Sequence, residues 1–166
     1  MKKQLVILFF ALFCYCAKSQ APIPVGGKQL NAGLGFSSSG IPIYAGMDFG
    51  VHKDITVGGE LSFRHYSDDW EGNSYGHSGF GVLANCNYHF NSLLKMDPKW
   101  NLYAGVNIGF TFWISADDYK GDTSSGLGFG GQIGGRYFFN EKFGINLEGG
   151  GGSSLVGGKF GITMKM

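Results

Sequence analysis

Between Trp100 and Ser115 the even positions are Trp100, Leu102, Ala104, Val106, Ile108, Phe110, Phe112 and Ile114, all apolar. The odd ones, Asn101, Tyr103, Gly105, Asn107, Gly109, Thr111, Trp113 and Ser115, are mainly small or polar. Side chains that change face at every step mark a β-strand, because a helix would gather its apolar residues three and four apart. The same split recurs seven more times. Its apolar flanks are Leu30 to Phe36, Ile41 to Val51, Ile55 to Phe63, Phe80 to Phe90, Leu127 to Phe139, Phe143 to Leu147 and Phe160 to Met166. No helical stripe competes with them, so the pattern predicts an all-β chain of eight strands of about 11 residues, near the 9 to 11 that cross a bilayer.

The predicted connections alternate in length. His52 to Asp54, Asn91 to Lys99 and Asn140 to Lys142 form one set, the first and last being tight turns. Ser67 to Ser78 and Ala116 to Ser125 are long, acidic and glycine-bearing, with Ser37 to Gly40 and Gly151 to Ser154 as shorter members of the second set. Short turns at one end and longer loops at the other describe an up-and-down meander.

Composition decides which flank faces inward. The chain has 166 residues, 30 of them glycine, with 16% aromatic, 15% charged and a formal net charge of +1. Glycine averages near 7% in ordinary proteins. The polar flank is mostly Gly, Asn, Ser and Thr, whereas a water-facing exterior would carry many more Lys and Glu. Small residues suit the crowded bore of a narrow barrel, and the bulky flank would overfill it. The outward aromatics also sort into two belts. Phe36, Phe63, Phe80, Phe110, Phe112 and Phe129 fall near one rim, and Phe49, Tyr88, Phe90, Trp100, Tyr137, Phe139 and Phe143 near the other. Two belts around an aliphatic band are what a bilayer selects. The balanced charge offers no basic surface for nucleic acid.

The first residues read as an export signal. Lys2 and Lys3 precede an apolar run from Leu5 to Cys16, and Ala17-Lys18-Ser19 is a small-x-small cleavage site. The expected organisation is a cleaved leader over residues 1–19, a short arm over 20–27 holding Pro22 and Pro24, and a barrel domain over 28–166. Cys86 is then the sole cysteine, which leaves neither a disulfide framework nor a thiolate metal cluster.

The chain resembles the small eight-stranded outer-membrane β-barrel domain proteins of the porin-family, OmpX/OmpA-like kind. The resemblance is carried by Asn87-Tyr88-His89-Phe90, by Lys99 through Gly105, by Gly135-Arg136-Tyr137-Phe138-Phe139-Asn140-Glu141-Lys142-Phe143-Gly144 and by Gly158-Lys159-Phe160-Gly161-Ile162. It implies an integral outer-membrane protein inserted by the outer-membrane assembly machinery, surrounded by outer-membrane lipid and expected to be monomeric. These motifs mark an architecture and no activity. Such barrels commonly end in an aromatic residue, whereas this chain ends in Met166.

Chemistry is then to be sought in the bore or in the loops. The inward flank carries Asp48, Glu60 and Glu148 against Arg64, Arg136 and Lys159. The set reads either as a structural plug in which buried charges neutralise one another or as a selective constriction. In the loops, Asp68, Asp69, Trp70, Glu71, Tyr75, Asp117, Asp118, Tyr119 and Asp122 are candidates for contact with an extracellular ligand or a divalent cation, since carboxylate oxygens suit Ca²⁺ and Mg²⁺. Their spacing is not that of an EF-hand. His77, Ser78 and Asp69 could form a lipid acyl-transfer site, but no Gly-x-Ser-x-Gly elbow orients the serine. The expectation is a non-enzymatic protein without a cofactor, acting structurally or through its loops. A narrow pore is the alternative.

Overall fold

The computed structural model describes residues 22–37, 40–70, 73–115, 125–152 and 157–166, with the side chains of 68–70, 73–74 and 115 left aside. Eight strands run in chain order: β1 (Lys28–Phe36), β2 (Ile43–His52), β3 (Ile55–Trp70), β4 (Asn73–His89), β5 (Trp100–Ser115), β6 (Gly126–Phe138), β7 (Phe143–Gly152) and β8 (Gly158–Lys165). Each pairs antiparallel with its sequence neighbours, and β1 pairs with β8, so the sheet closes on itself. In the band where all eight strands run, closure leaves every strand a partner on both sides. The leader and its cleavage site lie outside the described residues.

The alternation read from sequence sets the two faces. Leu34, Leu61, Val82, Val106, Ile133, Leu147 and Ile162 point outward and are exposed, while the buried residues of the same strands are almost all polar, charged or glycine. This inverts a water-soluble barrel. Rings on the outer wall cluster at two levels: Phe63 with Phe80 (4.8 Å between centroids) and Phe110 with Phe112 (4.6 Å), then Tyr88 with Phe90 (5.3 Å) and Trp100 with Tyr137 (4.7 Å). Phe80 to Tyr88 and Trp100 to Phe112 span about 27 and 40 Å of strand. Tilted by about 40°, they rise roughly 20 and 30 Å, which brackets the ~25 Å apolar band of a bilayer-spanning barrel.

Three expectations are corrected. The strands are uneven, from 8 residues in β8 to 17 in β4. The acidic stretch Ser67 to Ser78 is not a long loop: β3 and β4 continue through most of it, with Ser67 opposite Gly76 and Trp70 opposite Asn73. Polar residues such as these read as a loop because they lack an apolar flank, but a hairpin standing above the apolar band needs none. The connection Asn91 to Lys99 contains a one-turn helix, α1 (Asn91–Leu94), whose Leu93 and Leu94 are exposed. Because β3, β4 and β5 are long, the loop end rises as a wall on one side of the barrel.

The arm does not hang free of the barrel. Ile23 is buried at the turn end, Gly26 N donates to Gly50 O (2.8 Å), and Gly50 N donates to Gly27 O (3.0 Å).

Candidate functional site

The bore is filled in tiers, beginning at the turn end. Phe138 is fully buried there, with Lys165 Nζ 3.7 Å from its ring centre. Above it the His89 ring lies between Thr56 Oγ1, 3.0 Å from Nε2, and the Asn101 amide, 2.9 Å from Nδ1. Asn101 Nδ2 in turn donates to Asn91 Oδ1 at 2.8 Å. Strand alternation brings these side chains to one level from β3, β4 and β5.

The middle tier holds the charges. Arg136 Nη2 sits 2.7 Å from Asp48 Oδ2, and both side chains are nearly inaccessible. With its carboxamide oxygen turned to the guanidinium, Gln29 accepts from Arg136 Nε and Nη1 at 3.0 Å each. Asn31 Nδ2 donates to Asp48 at 3.0 Å, and Thr163 Oγ1 donates to Asn31 Oδ1 at 2.8 Å. The second ionic group is centred on Lys159, whose Nζ lies 2.8 Å from Glu60 Oε2 and 3.0 Å from Glu148 Oε1.

Tyr103 joins the two groups. The Arg136 guanidinium stacks over its ring at 4.3 Å, and its hydroxyl donates to Glu148 Oε2 at 2.8 Å. Three carboxylates therefore face two bases, and the donors Asn31 and Tyr103 share the remaining negative charge, as a buried carboxylate requires. Asn146 Nδ2 donates to Tyr44 Oη at 2.8 Å, and Gln132 bridges Asn107 and Asn87 with two bonds of 2.7 Å.

Large rings fit in so narrow a bore because glycines face them. A Cβ on Gly134 would clash with the Cζ and hydroxyl end of Tyr103, and one on Gly79 would stand 2.9 Å from the Trp113 indole. Glycine on one strand opposite an aromatic on the next is a recognised device for filling a sheet face.

Of the six charges read from sequence, the structure brings five together. Arg64 stands apart toward the loop end, where Nη1 donates to Ser37 Oγ (2.8 Å) and the guanidinium lies 4.5 Å over Trp113. The expected three-against-three set is thus a two-against-three cluster plus a separate arginine. Beyond this cluster the inward flank carries half-buried Ser62, Leu83, Asn107 and Thr111, with glycines at 109, 128 and 130.

The acyl-transfer arrangement is not assembled as envisaged. His77 and Ser78 are consecutive strand residues and point to opposite faces. His77 is buried against Tyr66 (5.1 Å between ring centres), and Ser78 Oγ meets His65 Nδ1 at 3.1 Å on the outer wall. Tyr75 is half-buried in β4 and not an exposed loop ring. The side chains of Asp68, Asp69, Trp70, Glu71, Asp117, Asp118, Tyr119 and Asp122 lie outside the described residues. Among the described residues no group of three His, Cys, Asp or Glu side chains could share a metal ion. Cys86 is exposed on the apolar outer wall.

Inspection of the sequence missed Tyr103 and Tyr44, which stood among small residues on the polar flank. The signal that would have found them is the glycine across the ladder, and that requires the register.

No protein-family model matches the chain, and no curated protein is similar to it in sequence. Solved structures are similar in fold. The N-terminal β-barrel domain of Pseudomonas aeruginosa OprF superposes with a TM-score of 0.62 at 14% identity, covering 87% of this chain and 100% of the other. The outer membrane protein OprG of the same organism gives 0.66 at 10% identity, covering 90% and 98%. Ail, the attachment invasion locus protein of Yersinia pestis, gives 0.50 at 13% identity, covering 84% and 93%. This is the fold of the eight-stranded transmembrane barrels. At such identities the likeness carries architecture alone. The barrel has the topology of these proteins, and its bore is filled by its own set of charges.

Proposed function

We propose that this chain is an integral outer-membrane barrel, closed to solutes, whose role is structural or exercised through its loop end. The observation that carries the reading is the cross-section at Tyr103. There Arg136, Asp48, Glu148, Lys159 and Glu60 are tied into a single bonded cluster across the bore. An ion moving through would have to break buried charge pairs, and removing one member of such a pair costs about 3–5 kcal/mol. The apolar outer wall between two aromatic belts and the leader-like first residues support the location. The raised wall of β3 to β5, together with the acidic residues that the sequence carries at 68, 69, 71, 117, 118 and 122, supports an extracellular ligand or divalent cation as the contact. Ail, named for attachment, is built on the same fold.

The test is conductance across planar bilayers by protein whose heat-sensitive gel mobility confirms a closed barrel. Absence of unitary steps is expected. Discrete steps in the parent protein would overturn the closed reading in favour of a narrow pore. A protein that stays folded and monodisperse without detergent would overturn the membrane location itself.

A further inference from the structure

The turn end of the bore carries a closure that the strands do not supply. Just before β1, Gly27 N donates to Pro24 O at 2.9 Å, with Gly26 between them at φ +81°. A reversal of this kind needs a left-handed third residue, which glycine adopts without a Cβ clash. It folds the arm back on itself, and the returning chain crosses the inner face of the barrel. Gly50 marks the crossing. It is a buried position of β2 on the same face as Asp48, and a Cβ there would run into the Pro24 carbonyl and stand 3.2 Å from Ile23 O. Gly27, on the inward flank of the chain leading into β1, is bare in the same way: its Cβ would lie 3.0 Å from Pro24 O.

Ile23 is 3% exposed. Among the described residues the other buried hydrophobic side chains named with it are Tyr44, Tyr103 and Phe138, all of which stand in the bore. The apolar side chains of this barrel otherwise face outward, so an aliphatic side chain from outside the strands that is still buried has the mouth of the bore as its shelter. At this level the bore is lined by Thr56, the ladder partner of Gly50, and by His89, whose Nε2 lies 3.0 Å from Thr56 Oγ1; both are buried. The hold on the arm is slight. It consists of one aliphatic side chain, the Gly27 to Pro24 turn and two backbone bonds to Gly50, whereas each strand is bonded along its length on both sides.

We propose that the arm is a releasable floor. Ile23 seats in the turn-end mouth and keeps water from Thr56 and His89, and a swing about Gly26 and Gly27 opens this end while the ionic cluster above stays shut. The floor rests on the barrel fold and is separate from the cluster that carries the closed reading.

The experiment uses one reporter thiol, Thr56→Cys combined with Cys86→Ser, in protein extracted from membranes with its heat-sensitive gel shift intact. A charged, water-borne thiol reagent is expected to label it slowly. Ile23→Ser, and Gly50→Ala from the barrel side, should each raise the labelling rate at least about tenfold, the factor by which losing one buried isoleucine shifts the ratio of open to seated arm. Val25→Ser, at an exposed position of the same turn, should leave the rate unchanged. Amide exchange reads the same equilibrium without the reporter: the Gly26 and Gly50 amides should exchange at least about tenfold faster in Ile23→Ser. Fast labelling with the arm intact, or labelling and exchange unmoved by the variants, would overturn the floor and leave the barrel and its ionic cluster standing. Unitary conductance in Ile23→Ser would support the floor and overturn the closed reading of the cluster.

Discussion

Arg136→Met removes the base that pairs with Asp48 in the bore and keeps much of the side chain's length. Asp48 would be left about as buried as before, losing the 2.7 Å contact and keeping the 3.0 Å donation from Asn31. Gln29 would lose two donors at 3.0 Å, and the Tyr103 ring its stacked guanidinium. An uncompensated buried charge of this kind costs about 3–5 kcal/mol. With a urea dependence of about 2 kcal/mol per molar, the unfolding midpoint should fall by roughly 2 M. The assay is urea unfolding of the barrel in lipid vesicles, followed by tryptophan fluorescence. The control is Arg136→Met combined with Asp48→Asn, which removes the stranded charge and should recover most of the loss, because a buried pair replaced as a whole is often close to neutral. A midpoint unchanged in the single variant would refute the argument, as would a double variant less stable than the single one. An unchanged midpoint accompanied by new conductance would turn the reading toward a gated pore.

Two further outcomes are expected. Lys159→Met strips the cationic partner from both Glu60 and Glu148, leaving Glu148 only the Tyr103 hydroxyl among its described partners, whereas Glu60→Gln leaves Lys159 its 3.0 Å contact with Glu148. The lysine variant should therefore be the less stable in the same urea assay, and the reverse order would show that the shared lysine is not the centre of that group. Val106→Lys places a charge on the outer wall opposite Cys86, midway along β5 between Trp100 and Phe112 of the two belts. In vesicles it should lower stability by about 2–4 kcal/mol, and a neutral result would mean that this face meets water.

How much of this was legible in the residues themselves depends on the property asked about. Strict alternation in Trp100 to Ser115 and its seven repeats assigned nearly every side chain to a face, and the glycine-rich flank identified the inner one by volume. Asp48, Glu60, Glu148, Arg136 and Lys159 were placed in the bore on that basis alone. The hairpin tip from Ser67 to Ser78 was misread because polar strands above a membrane lose the apolar flank that announces a strand. The acyl-transfer idea paired neighbours in sequence, His77 and Ser78, that a strand necessarily sends to opposite faces.

Period two determined the number of strands, their up-and-down order and which side chains meet lipid. It could not determine the pairing, because sliding one strand past the next by two residues preserves every face while changing every neighbour. Closure of β1 on β8 fixes the summed stagger, and the packing of ring against glycine and charge against charge selects the individual slides. That choice put Arg136 beside Asp48, 88 positions away along the chain, and set the Tyr103 ring against Gly134 with its hydroxyl on Glu148. The bonded cluster across the bore is therefore a property of the closed ladder, in which ring and glycine must arrive at the same height.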